Sequence, residues 1–74
     1  MNTKQHKGNI TDWRRVECDG GLGFRIDGVF CGHPEFDGER GMTSFVIAYE
    51  FPKHHKIEIE TNNSRYTLIG NERG

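Results

Sequence analysis

Two stretches of the chain concentrate side chains that can recognise a ligand. The first covers residues 33–44 and the second covers residues 60–66. The candidate binding residues are a ring, an arginine and two hydroxyls in the first stretch and an amide, an arginine and a phenol in the second: Phe36, Arg40, Thr43, Ser44, Asn63, Arg65 and Tyr66. Rings stack on planar groups, arginine forms bidentate bonds to phosphates and carboxylates, and hydroxyls and amides fix orientation. We therefore expect a polar binding cleft if the two stretches meet at one end of a sheet.

A second interpretation of the same stretches needs no ligand. Thr43, Ser44, Asn62 and Ser64 are residue types that commonly cap turns, and Phe36 can fold back over the core. The two interpretations differ in one respect that a structure can decide. In the second, the hydroxyl groups are already hydrogen-bonded within the chain.

The sequence contains no motif that assembles a catalytic centre. A nucleophile needs a positioned base, and the chain has no phosphate-binding loop, nucleophile elbow or dinucleotide fingerprint. Cys31 and His33, together with His54 and His55, include possible zinc ligands, but their spacing matches no standard zinc site. We interpret Cys31 as a core thiol and the histidines as solvent-exposed. The sequence thus predicts no enzyme activity, no metal and no cofactor. An enzyme would need a further cofactor or a reactive Cys31 thiol.

The composition favours a small β-sheet domain. Of the 74 residues only 32% are hydrophobic, and 10 glycines stand against one alanine and two leucines. This balance disfavours helices and favours strands and turns, and the length fits a single domain over residues 1–74. We expect residues 1–9 and 70–74 to be flexible. Because the N-terminal stretch is polar and contains neither a signal sequence nor a spanning segment, we expect a cytoplasmic protein.

Alternating apolar residues predict five strands, over residues 10–18, 22–31, 43–51, 56–60 and 65–69. The strands are short and the turns closely spaced, so we predict an all-β fold, either a small, strongly bent five-stranded sheet or a partly open SH3-like or OB-like barrel. The strand over residues 43–51 is the most apolar and is predicted to be central. The predicted core consists of Trp13, Phe24, Ile26, Phe45, Ile47, Ile57, Ile59 and Leu68.

The most apolar strand also predicts self-association. Val46 and Ala48 make its second face apolar, and a chain of 74 residues can hardly cover both faces alone. We therefore expect a homodimer or a higher homo-oligomer, with Val46, Ala48 and Phe30 at the interface.

The two polar stretches also carry a resemblance. The segments HPEFDGERGMTSFV and ETNNSRYTLIG, with Trp13 near the N-terminus, resemble small phage- and prophage-encoded proteins that have an HP-x-F-x-(D)G-x-x-x-TS-x-V segment followed by a T-x-NS-x-Y-x-L segment. The resemblance covers residues 10–70. It implies a phage accessory protein, and such proteins commonly block host defence by binding an effector or by sequestering a nucleotide signal.

Together these features predict a non-enzymatic binding protein, a phage-type antagonist of a bacterial defence system that captures a host protein or a nucleotide in the host cytoplasm. The alternative is a small nucleic-acid-binding β-barrel. The formal net charge of -1 argues against nonspecific binding to nucleic acid or to a membrane surface. The arginines are also spread over separate elements, which argues against a nucleic-acid interface: Arg14, Arg15, Arg25, Arg40 and Arg65. A salt-dependent gel shift would support the alternative.

Overall fold

The structure is a computed structural model that describes residues 4–53 and 56–73. Within these residues, runs of β-branched and aromatic residues separated by glycine-rich turns form six strands. A short 3-10 turn, Asp19–Gly21, joins the first two strands. The strands are β1 (Gln5–Cys18), β2 (Gly23–Cys31), β3 (Arg40–Met42), β4 (Val46–Lys53), β5 (Lys56–Thr61) and β6 (Ser64–Ile69). The predicted all-β class is confirmed.

All six strands belong to one sheet with the order β3-β2-β1-β6-β5-β4. Neighbouring strands are antiparallel except for β1 and β6, which pair in parallel. The strand that the sequence analysis lacks is β3, which has three residues and lies at the end of the glycine-rich loop. β1 also begins at Gln5, five residues before the predicted start, because its first residues pair with β6.

The predicted central strand, β4, is in fact an edge of the sheet. Its register on β5 shifts between Val46, which lies opposite Thr61, and Ala48, which lies opposite Glu60. An extra residue of this kind interrupts the alternation of side chains between the two faces. Val46 consequently packs against the core, whereas Ile47 is 53% exposed. The prediction that Ile47 is buried was therefore wrong.

The core lies on the concave face of the bent sheet. Its buried apolar residues are Ile10, Trp13, Ile26, Phe30, Ile59, Tyr66 and Leu68. Of the remaining residues in the predicted core, Phe24 and Ile57 are partly buried against this cluster. Phe45 is partly buried but does not belong to this cluster; the Arg25 guanidinium lies 4.8 Å from its ring centroid. Of the predicted interface residues, Phe30 is buried in the core and Val46 is partly buried against it, whereas Ala48 is exposed on the edge strand.

The sheet curls without closing. The rings of Phe24 in β2 and Tyr49 in β4 are 6.0 Å apart between centroids, although β1, β6 and β5 lie between their strands in the sheet. β3 and β4 are not paired with each other, so the described residues form an open, strongly bent sheet. This curl gives the concave face two open ends.

Candidate functional site

One end of the concave face holds a cavity of about 410 Å³, which we call the loop cavity. Six of the seven predicted binding residues line it: Phe36, Arg40, Thr43, Ser44, Asn63 and Tyr66. The two polar stretches therefore meet, although 15 residues, 45–59, separate them in the sequence. Further lining residues that the argument below uses are Lys7, Phe30, His33, Glu35, Glu39 and Met42.

The loop between β2 and β3 is held in place by its own backbone. The Gly38 N–H donates to the Phe30 carbonyl oxygen (2.6 Å), and the Phe30 N–H donates to the Glu39 carbonyl oxygen (2.9 Å). The Gly32 N–H donates to Oδ1 of Asp37 (2.7 Å). A long loop fixed in this way presents its side chains from a defined position, as a binding site requires.

His33 fixes the first turn of the loop. Its ring is 5% exposed, which contradicts the prediction of a solvent-exposed histidine. Nδ1 accepts hydrogen bonds from the N–H groups of Glu35 (2.9 Å) and Phe36 (3.2 Å). A nitrogen that accepts two N–H groups carries no proton, so the neutral ring carries its proton on Nε2.

Four rings form one wall of the loop cavity. Phe30 packs edge to face against Tyr66, with centroids 5.5 Å apart, and against Phe36 at 6.4 Å. His33 lies 4.7 Å from Phe36. Phe36 remains 49% exposed, so one side of its ring is accessible. Burial raises the pKa of the Tyr66 hydroxyl, and a hydrogen bond with Ser64 offsets part of that rise. Tyr66 is therefore a neutral phenol at physiological pH.

The hydroxyl groups divide between the two interpretations. Thr43 Oγ1 accepts from the Ile26 N–H (3.1 Å) and donates to the Ser44 carbonyl oxygen (2.7 Å), so this side chain anchors the connection between β3 and β4. The Ser64 N–H donates to Thr61 Oγ1 (3.2 Å) and so stabilises the turn before β6. Ser44 and Asn63 are exposed at the cavity. These two side chains are therefore accessible from the cavity, whereas Thr43 is buried.

Arg40 joins the loop cavity to a cluster of charges. Its guanidinium binds Asp12 and also Asp27, with Nη1 3.3 Å from Asp27 Oδ2. Arg14 and Arg73 approach the same Asp27 carboxylate, each at 3.6 Å. Arg14 and Arg40, which were predicted to lie apart on separate elements, therefore meet at Asp27 together with Arg73. The two aspartates neutralise most of their charge, so the cluster offers little attraction to a polyanion.

Arg65, the seventh predicted binding residue, does not line the loop cavity. Its neighbours Ser64 and Tyr66 are buried, and successive side chains of a strand point to opposite faces. Arg65 Nε donates to the Lys4 carbonyl oxygen (3.0 Å), which ties the start of the chain to β6.

Lys7 also lines the loop cavity but was not predicted to do so, because residues 1–9 have no apolar alternation. Parallel pairing with β6, which places His6 opposite Arg65, brings this segment to the cavity. Among the described residues no ion pair involves Lys7, so its ammonium group is the cation of the site that no carboxylate neutralises. Only the strand pairing could have revealed it.

Cys18 and Cys31 are free thiols and are partly buried. Within residues 4–53 and 56–73, no three histidine, cysteine or carboxylate side chains are grouped as a metal site would need. His54 and His55 lie outside the described residues. In the same part of the chain, no helix has the length and hydrophobicity needed to cross a bilayer.

The chain matches no protein-family model, no curated protein and no solved structure. The fold and the loop cavity define the class of protein: a small all-β protein with a ring-lined polar cavity on the concave face of its sheet.

Proposed function

We propose that the protein is a non-enzymatic binding protein that captures a nucleotide in the loop cavity, and that it thereby acts as a phage-type antagonist of a bacterial defence system. One observation carries this proposal. Six residues chosen for their ligand chemistry, from two separate stretches, line a single cavity of about 410 Å³. This volume lies within the range of small-molecule sites, about 300–1,000 Å³.

The mixture of groups suits a nucleotide better than a simple anion. The exposed faces of Phe36 and Met42 offer a place for a base, and Lys7 offers a partner for a phosphate. The carboxylates of Glu35 and Glu39 would repel a bare anion, but they can accept hydrogen bonds from ribose hydroxyls or an exocyclic amino group. Arg40, already bound to two aspartates, serves mainly to hold β3 in place.

The proposed role in a host follows from the resemblance. The segments that resemble phage proteins, residues 33–46 and 60–70, are the segments that supply most of the cavity wall. Capture without catalysis removes a signalling nucleotide in proportion to the protein present, and it requires no reactive group. We propose that this capture takes place in the host cytoplasm.

Native mass spectrometry of the protein purified from a defence-active host tests this proposal. A retained nucleotide adds a few hundred daltons, whereas a retained host protein adds at least several thousand. We expect the nucleotide adduct. A host-protein adduct would replace nucleotide capture by protein capture, and a salt-dependent gel shift with DNA or RNA would favour the alternative, a nucleic-acid-binding barrel.

Replacing Phe36 with alanine should weaken binding of the nucleotide about 5- to 150-fold, because stacking of a base on a ring contributes about 1–3 kcal/mol. Isothermal titration calorimetry, with the nucleotide identified by native mass spectrometry, measures the change in affinity. The melting temperature should remain nearly constant, since the ring is half exposed. Ile47→Ala, an exposed apolar residue outside the cavity, is the matched control. If Phe36→Ala binds the nucleotide with unchanged affinity, the base does not stack on Phe36.

Replacing Lys7 with alanine should distinguish the phosphate from the base. We expect weaker binding of the nucleotide, by about 1.5–3 kcal/mol, the range for hydrogen bonds to charged groups, and unchanged binding of the corresponding nucleoside. Lys56→Ala on β5 removes the same charge from an exposed position outside the cavity and should have no effect. Equal losses for nucleotide and nucleoside would show that Lys7 does not bind phosphate.

A further inference from the structure

A second cavity, which we call the apolar cavity, measures about 250 Å³ and shares no lining residue with the loop cavity. The indole Nε1 of Trp13 donates to the Gly70 carbonyl oxygen (3.2 Å), so the polar atom of this ring is already bonded. Four strands supply the apolar side chains of the lining: Trp13, Phe24, Ile26, Ile57, Ile59 and Leu68. The apolar cavity therefore suits a hydrophobic group.

The size of the apolar cavity fits a small hydrophobic group. Ile26 and Leu68 are at most 1% exposed, so the bottom of the cavity is the packed core. A cavity of about 150 Å³ lined by similar side chains binds benzene in another protein. A cavity of about 250 Å³ can therefore hold a substituted ring or a chain of several carbons.

Arginine side chains stand at the mouth of the apolar cavity. Arg15 and Glu72 line it, and they also line an adjoining surface depression together with Arg14 and Arg73. The Arg15 guanidinium lies 5.9 Å from the ring centroid of Phe24, which belongs to the cavity wall. The fold thus places positive charge directly beside an apolar surface.

Residues 70–73 build this mouth and are bonded to β1. The Arg73 N–H donates to the Trp13 carbonyl oxygen (2.7 Å), and Glu72 Oε2 accepts from the Arg15 N–H (2.9 Å). Together with the bond from Trp13 Nε1 to Gly70, these contacts hold the segment across β1. The arginines are consequently presented from defined positions, as a binding site requires.

The guanidinium groups of Arg14, Arg15 and Arg73 keep hydrogen-bond donors for a ligand. Their ion-pair contacts to carboxylates measure 3.6–3.7 Å, beyond the usual N–H···O range of about 2.7–3.2 Å. All three side chains are about half exposed.

The charges around the mouth leave a small positive excess. Four guanidinium groups meet three carboxylates in the described part of the chain, so one positive charge remains: Arg14, Arg15, Arg40 and Arg73 against Asp12, Asp27 and Glu72. A single excess charge attracts a monoanion and offers little to a polyanion.

From these features we infer that the apolar cavity binds a small amphipathic carboxylate, such as a medium-chain fatty acid. The hydrocarbon body fills the cavity, and the carboxylate accepts hydrogen bonds from the arginines at the mouth, as guanidinium groups favour. A neutral apolar molecule would leave these donors unused, and a bare anion would leave the cavity unfilled. The inference does not depend on the proposed nucleotide binding, because the loop cavity has a separate lining.

Titration of the intact protein with octanoate, below its micelle concentration, tests the inference. Trp13 is the only tryptophan of the chain and lines the apolar cavity, so its fluorescence should change and saturate. Octanol lacks the charge and acetate lacks the chain, so each should bind about tenfold or more weakly than octanoate. No saturable binding of octanoate would overturn the inference. So would equal binding of octanol, because the arginines would then not recognise the carboxylate, or equal binding of acetate, because the chain would then not enter the cavity.

Variants at the mouth test the role of the arginines. Arg14→Gln and Arg73→Gln should each weaken octanoate binding about tenfold and leave octanol binding unchanged. Lys56→Gln removes the same charge from an exposed side chain that lines neither cavity nor the depression, and it should have no effect. If the arginine variants bind octanoate as tightly as the parent, the carboxylate does not lie at this mouth.

Variants of Ile57, a partly buried wall residue, test the cavity itself. Ile57→Phe narrows the cavity and should abolish binding of octanoate and octanol, with a cooperative thermal transition as evidence that the variant folds. Ile57→Ala enlarges the cavity and should shift the preference from octanoate towards the longer decanoate. If both variants fold and bind octanoate as the parent does, the hydrocarbon chain does not occupy this cavity and the inference is wrong.

Discussion

Replacing Gly8 with alanine is expected to destabilise the fold by about 2–5 kcal/mol, the sum of about 1–2 kcal/mol for a left-handed backbone and about 1–3 kcal/mol for overpacking. Gly8 has φ +111°, and a Cβ atom there would lie 2.3 Å from the Cys31 carbonyl oxygen. The obstacle is backbone and cannot rotate away. Urea unfolding followed by the fluorescence of Trp13, which is buried in the native state, measures the loss.

Gly20→Ala is the matched control. Gly20 also has a positive φ, +64°, but a Cβ atom there has nothing within 4 Å, so this variant bears the backbone cost alone, about 1–2 kcal/mol. The difference between the two variants isolates the close approach of β1 to the end of β2. If both variants lose the same free energy of unfolding, β1 does not pass this close to Cys31.

Ile10→Ala should lower the free energy of unfolding by about 2–5 kcal/mol, because removing a fully buried side chain loses its transfer free energy and leaves a cavity. Ile10 is 0% exposed and sits in β1 between β2 and β6. The total free energy of unfolding of a small domain is only about 5–15 kcal/mol, so thermal denaturation should show a large drop in melting temperature.

Ile47→Ala removes the same atoms from a side chain that is half exposed on the edge strand. Its cost should fall near the surface range, about 0.5 kcal/mol. The pair tests the placement of β4 directly. If Ile47→Ala loses more free energy of unfolding than Ile10→Ala, β4 lies at the centre of the sheet, as its apolar pattern alone predicts, and not at the edge.

Most of the strands could be predicted from the sequence because each depends on a local alternation. Leu22–Ile26 and Lys56–Glu60, for example, carry the period of two that one buried face imposes. The order of the strands could not be predicted, because it depends on pairing between distant segments. The apolar content of β4 also led to a wrong prediction, that this strand is central and Ile47 is buried. One extra residue in β4 at Ile47 turns this hydrophobic side chain to the outside.

The cavity wall was predictable in part for a similar reason. Phe36, Ser44 and Asn63 lie in turns whose polar side chains exceed what folding requires, and turns at the same end of a sheet converge. The face of Arg65 depends on strand register, and the approach of Lys7 depends on parallel pairing with β6. The residues next to Arg65 and Lys7 in the sequence show no pattern from which either position could be predicted.

The parallel pairing of β1 with β6 has a consequence for how the protein is made. His6 lies opposite Arg65, so nearly the whole described chain must leave the ribosome before this edge of β1 finds its partner. Until then a long strand presents unpaired N–H and C=O groups to other nascent chains. Sheets that depend on contacts between such distant segments fold slowly, in about milliseconds to seconds. The interval between synthesis and pairing is therefore when this protein is most exposed to aggregation and to proteases.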